Sequence, residues 1–174
     1  WRGSFETEGG GVLINQSIHT LDLMQWFGGD IESIRGSVST KYLGDVIEVE
    51  DTADAVINFK NGARGIFYAT NCYTTNSSVE LEIHCEKGML TIRDGELIKS
   101  SDGIKQKIVD ENNTSSPYKN YWGHSHATLI KHFYESIINN DSKGVISVEE
   151  GMKSLKIIDG IYKSASTGNK VKIN

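Results

Sequence analysis

Asn15, His19, Asp22 and Trp26 fall at i, i+4, i+7 and i+11, the spacing that lines side chains along one face of an α-helix. An imidazole ordinarily titrates at about pH 6.5, which suits proton transfer at neutral pH. Asp22, one turn on, can orient His19 or share its charge. Asn15, one turn back, offers both a donor and an acceptor to a hydroxyl or carbonyl group. The plain alternative is a buried histidine bonded to Asp22 for stability.

The stripe needs a helix, and residues 9–29, GGGVLINQSIHTLDLMQWFGG, read as one bounded by glycines. Gly9-Gly10-Gly11 free the backbone before it and Gly28-Gly29 supply a stop. Val12, Leu13, Ile14, Ile18, Leu21, Leu23, Met24 and Phe27 cover most of the circumference, so the helix is expected to pack on more than one side. The glycines fit neither GxGxxG nor GxxxxGK[ST], and no convincing strand precedes them, which argues against a phosphate loop. They let a ligand or another backbone approach a helix N-terminus, or they are simply a flexible entry to the helix.

Strand-like sequence follows. Residues 33–43, 52–60 and 63–72 alternate loosely, and Asn61-Gly62 between the last two predicts a two-residue hairpin turn with both residues at φ > 0. Residues 79–85, 89–93 and 96–100, separated by Lys87-Gly88 and Asp94-Gly95, predict a meander. Residues 101–122 read as mainly loop, with a short strand available at 105–109. Residues 126–139 then form an amphipathic helix with Leu129, Ile130, Phe133, Ile137 and Ile138 on one face. Ser147-Val148-Glu149-Glu150 is a capping box opening a last helix, which ends at Gly168 before a short VKIN strand. The order predicts an α+β fold, not βαβ alternation.

A second group, Tyr118, Tyr121, Trp122, His124 and His126, reads either as a wall that stacks a ring or as a loop pinned by aromatic packing. No HExxH or paired CxxC spacing accompanies these histidines, and no metal is expected. Glu149 and Glu150 are explained by capping and the helix dipole. Cys72 and Cys85 have neither a disulfide-scaffold density nor a nucleophile's neighbours.

With 174 residues, 37% hydrophobic and 24% charged, the chain is long enough for one domain with a real core. A net charge of −5, from 18 basic and 23 acidic residues, argues against nucleic acid or an anionic membrane as partner. No apolar stretch is long enough to span a bilayer. The chain starts at Trp1 without a signal-like segment, and the expectation is a cytoplasmic domain that is a piece of something longer.

GGGVLINQSIHTLDLMQWFGG closely resembles the signature GGGxLxDxGxHxxDxxxWxxG of the C-terminal domain of Gfo/Idh/MocA-type oxidoreductases. The resemblance continues through EDTADAVINFKNGARGIFYAT, VELEIHCEKGMLTIRDGEL and SVEEGMKSLKIIDGIYKSASTGNKVKI, and is weakest over 100–120. It implies a large, mostly antiparallel sheet with helices on one face, and residues 1–174 as a single substrate-binding and oligomerisation domain. The family's Rossmann domain, which binds NAD or NADP and carries a catalytic lysine in a Glu-Lys-Pro motif, has no counterpart here.

By position, the resemblance makes His19 the acid/base on the hydroxyl being oxidised, and Asp22 the acidic residue one turn beyond it. Asn15 stands where many members have Asp; an amide cannot relay a proton, so it would position substrate. Gly10 and Gly11 match glycines near the nicotinamide. His126, Tyr121 and Trp122 match a pocket-facing segment in some members. The implied parent is an NAD(P)-dependent dehydrogenase acting on a secondary alcohol of a sugar or polyol. It is a homodimer or tetramer through the sheet face, and this fragment alone is inactive. The alternative is a non-catalytic ligand-sensing or oligomerisation domain on the same scaffold.

Overall fold

The computed structural model describes residues 3–75, 77–110 and 126–173. Among them the chain forms two compact units, one built from the chain up to Thr75 together with Ile146 onward, the other from the residues between.

The first unit opens with two short helices, α1 (Phe5–Glu8) and α2 (Val12–Asn15), followed by α3 (Ile18–Gly28). Strands β1 (Ile31–Ser39), β2 (Thr52–Phe59) and β3 (Arg64–Thr70) come next. The second unit holds β4 (Glu80–Cys85), β5 (Gly88–Arg93), β6 (Glu96–Ser101), β7 (Ile104–Asp110) and α4 (His126–Asn139). The chain returns to the first unit with α5 (Val148–Thr167) and β8 (Val171–Lys172). Each unit contains one four-stranded antiparallel sheet, in the orders β3-β2-β1-β8 and β4-β5-β6-β7. The α+β architecture is therefore as expected, with the antiparallel strands divided between two sheets.

Strand periodicity builds the core of the first unit. Ala53, Ala55, Ile57 and Phe59 alternate onto one face of β2 and are buried, with Ile34 of β1 and Phe67 of β3 beside them. Val12 and Leu13 of α2, Leu21 of α3, and Ile157, Ile158 and Ile161 of α5 cover that face. The opposite face carries Arg64, Ile66, Tyr68 and Asp54, and Ile66 and Tyr68 remain 80% and 64% exposed. Helix α5 lies close on β1 because Gly36 lacks a side chain: a Cβ there would stand 3.1 Å from Ile161 Cγ2 of α5. The Gly36 amide donates to Ser164 Oγ at 3.0 Å.

The continuous helix expected over 9–29 is broken. Residues 9–11 precede α2, and α2 stops at Asn15 before α3 starts at Ile18. Ser17 causes the break: its hydroxyl donates to the Val12 and Leu13 carbonyls at 2.8 and 3.2 Å, and its amide reaches Val12 O instead of continuing the ladder. Packing is also more one-sided than expected, since Leu23 and Phe27 stay exposed.

The hairpin turns differ in an instructive way. Asp94-Gly95 has both residues at positive φ, as a two-residue turn requires. So does Asp102-Gly103, which turns β6 into β7 inside the stretch expected to be mainly loop. At Asn61-Gly62 only Gly62 is positive, and Phe59 N donates to Ala63 O across a wider connection. There Asn61 Nδ2 donates to the Gly28 carbonyl at 2.9 Å and Oδ1 accepts from Ala63 N. In α5 the Ser147 cap accepts from the Glu150 amide at 3.2 Å, and Gly168 ends the helix in the left-handed conformation. The apolar face expected on the helix over 126–139 is present in α4, but Leu129, Ile130, Phe133 and Ile137 lie exposed. No helix among the described residues is long and apolar enough to cross a membrane.

Candidate active site

The glycine turn before α2 is closed by a carboxylate from 39 residues away. Glu50 is buried, and its Oε1 and Oε2 accept the Gly11 amide at 3.0 and 2.9 Å. Oε1 also accepts the Leu13 amide at 2.9 Å, while the Glu50 backbone carbonyl accepts the Val12 amide at 3.0 Å. Three successive amides at the start of a helix, which have no partner of their own, thus end on one residue. Tyr162 of α5 donates its hydroxyl to Glu50 Oε2 at 2.8 Å. Burial and the neighbouring carboxylate push the Tyr162 phenol well above its ordinary range, so it stays protonated and keeps its proton on Glu50.

These contacts explain the glycines. A Cβ on Gly11 would run into the Glu50 carbonyl oxygen, and one on Gly10 into the Tyr162 hydroxyl. Of the readings open from sequence, close approach of another backbone is the one the structure shows. Gly10 and Gly11 are both buried. Every described strand pair is antiparallel, and the Gly11, Val12 and Leu13 amides all end on Glu50.

From this braced turn the stripe emerges. Asn15, at the end of α2, is exposed, and its Nδ2 donates to Glu8 Oε1 at 2.8 Å. His19, in the first turn of α3, is exposed and has no hydrogen-bond partner among the described residues. Asp22 is partly buried, and its Oδ1 accepts from Ser154 Oγ of α5 at 2.7 Å. The bond that holds Asp22 therefore comes from Ser154, not from His19. Trp26 is 71% exposed and packs edge-on against Phe27, ring centroids 4.7 Å apart. In this domain Asn15 and His19 are thus exposed, and His19 is not bonded to Asp22.

His126 opens α4 in the second unit and is exposed. Tyr121 and Trp122, with Tyr118 and His124, lie outside the described residues. Three polar residues that shape the site were not singled out from sequence. Glu8 precedes the glycines and bonds Asn15, Glu50 braces the turn, and Ser154 holds Asp22. The Glu50-Asp51-Thr52 run held the available signal, two acidic residues entering an apolar strand where solvated charge is out of place.

Residues 1–173 match the family described as "Oxidoreductase family, C-terminal alpha/beta domain", that of the Gfo/Idh/MocA proteins. The chain belongs to this family. Solved structures show the same fold. A levoglucosan dehydrogenase in complex with NADH and levoglucosan superposes on 99% of this Gfo/Idh/MocA domain with a TM-score of 0.81 at 22% identity. An oxidoreductase domain protein from Kribbella flavida covers 100% with a TM-score of 0.82 at 20% identity. The WlbA dehydrogenase from Bordetella pertussis, in complex with NADH and UDP-GlcNAcA, covers 100% at 0.68 and 22% identity. The domain spans about half the length of these structures, 53% of the first two and 48% of the third.

Proposed function

We propose that this domain is the substrate-binding half of an NAD(P)-dependent dehydrogenase acting on a secondary alcohol of a sugar or polyol, with His19 as acid/base. The observation that carries the reading is an exposed imidazole at the start of α3, four residues after an exposed amide at the end of α2, a helix braced from behind by buried Glu50. The dinucleotide, NAD or NADP held by a Rossmann domain outside this chain, supplies the hydride acceptor when bound. This chain handles the proton: as the alcohol carbon loses its hydride, the hydroxyl proton passes to the His19 imidazole, leaving a carbonyl. Asn15 orients a neighbouring substrate hydroxyl, and Gly10 and Gly11 are assigned to the nicotinamide side of the site. His126, Tyr121 and Trp122 are assigned to the pocket wall. The exposure of Ile66 and Tyr68 supports self-association through that sheet face, and the parent is assigned as a cytoplasmic homodimer or tetramer.

The test is His19→Ala in the full-length protein, screened over sugars and polyols with both cofactors. A well-placed acid/base is worth roughly 10²–10⁴ in rate, and kcat should fall by that order. Wild-type turnover in the variant removes the role. The isolated domain should be inactive and bind neither dinucleotide; binding by the domain alone contradicts the division of labour.

A further inference from the structure

Glu8 closes α1, and its carboxylate is engaged at both oxygens. Oε1 accepts from Asn15 Nδ2 at 2.8 Å, and Oε2 accepts the amide of Gly3. A side-chain amide has a donor end and an acceptor end. Once the donor end of Asn15 rests on a carboxylate, the carbonyl oxygen is the end left for a ligand. Asn15 Oδ1 accepts nothing from the described residues.

We infer that Glu8 is a positioning residue which holds Asn15 as a hydrogen-bond acceptor, so that the site receives a neutral sugar or polyol by its hydroxyl and disfavours an anionic sugar acid. The inference rests on the reading of His19 as the acid/base. A substrate hydroxyl beside the one that gives its proton to His19 donates to Asn15 Oδ1, whereas a substrate carboxylate meets an acceptor oxygen backed by the negative charge of Glu8. The same pairing explains the amide itself. An aspartate at position 15 would set two carboxylates in hydrogen-bond contact, and they would have to share a proton or swing apart. With Asn15 the pair carries a single charge and a charge-assisted bond of ordinary length.

The test uses the full-length protein with NAD and NADP, and D-glucose, D-xylose, myo-inositol and D-glucuronate as probes. Wild type should favour a neutral probe over glucuronate by about tenfold or more in kcat/KM. Glu8→Ala should raise KM for that probe about tenfold while kcat moves less than about twofold, the loss expected for one orienting hydrogen bond. Glu8→Gln keeps an oxygen for Asn15 Nδ2 and should restore KM. Asn15→Asp should lose about tenfold in kcat/KM, and Glu8→Gln/Asn15→Asp should recover most of it. A preference for glucuronate, an unchanged KM in Glu8→Ala, or equal activity of Asn15→Asp with and without Glu8→Gln overturns the inference. His19→Ala separates the two levels. If it is inactive while the Glu8 series is flat, only the Glu8 role falls. If it turns over like wild type, or wild type oxidises no probe, the dehydrogenase reading falls and this inference with it.

Discussion

The Tyr162 hydroxyl donates to Glu50 Oε2 at 2.8 Å, joining α5 to the carboxylate that caps α2. Removing the hydroxyl leaves a buried carboxylate short of one donor. Tyr162→Phe should therefore lose about 1–2 kcal/mol of stability in urea unfolding. An unchanged midpoint would show that the backbone amides alone satisfy Glu50.

Glycine substitutions should separate space from conformation. Gly9 has φ +75° with nothing near its absent Cβ, so Gly9→Ala should cost only about 1–2 kcal/mol for the left-handed backbone. Gly11 faces backbone that cannot rotate away, and Gly11→Ala should cost more than about 3 kcal/mol or prevent folding. Equal midpoints for the two variants would refute the packing described at Glu50.

Asp22 and Ser154 should be coupled. In a double-mutant cycle with Asp22→Ala and Ser154→Ala, the interaction energy expected for a bond to a charged acceptor is about 1.5 kcal/mol. Additive single effects would show that the 2.7 Å contact contributes nothing to stability.

Acid stability should report on Asp51. Burial acts to raise its carboxyl, but the Leu43 and Tyr42 amides and the Thr52 hydroxyl outweigh that and hold it below its ordinary value of 3.8. A carboxyl depressed in the folded state stabilises fully above its unfolded pKa and loses that contribution as pH falls through the folded one. Stability should thus decline below about pH 4, and Asp51→Asn should flatten that limb in unfolding curves measured between pH 5 and pH 3. A limb equally steep in the variant would assign the acid sensitivity to other groups.

What could be read without coordinates was what is local. The Ser147 cap, the Gly168 stop and the Asp94-Gly95 turn each depend on a few neighbouring residues, and the structure realises them. The Asp102-Gly103 turn was equally legible by the same rule. The break at Ser17 was not, because a hydroxyl in a helical pattern either points to solvent or takes the backbone carbonyls, and only tertiary packing decides. Ser154 was invisible for a different reason: it acts on a partner far along the chain, and nothing in its own neighbourhood announces the bond. Glu50 stood out only as a charge entering an apolar strand, which says nothing of its partner 39 residues away.

The interruption at Ser17 puts Asn15 and His19 on separate helices, so an unbroken helical ladder does not set the gap between them. Both helices are instead referenced to α5, α2 through Glu50 and Tyr162, α3 through Asp22 and Ser154. Eight residues of α5 separate those two attachment points, about 12 Å of helix rise. Helix α5 thus serves as a ruler for the site, and a residue inserted between Ser154 and Tyr162 would change the spacing of the amide and the imidazole without altering either residue.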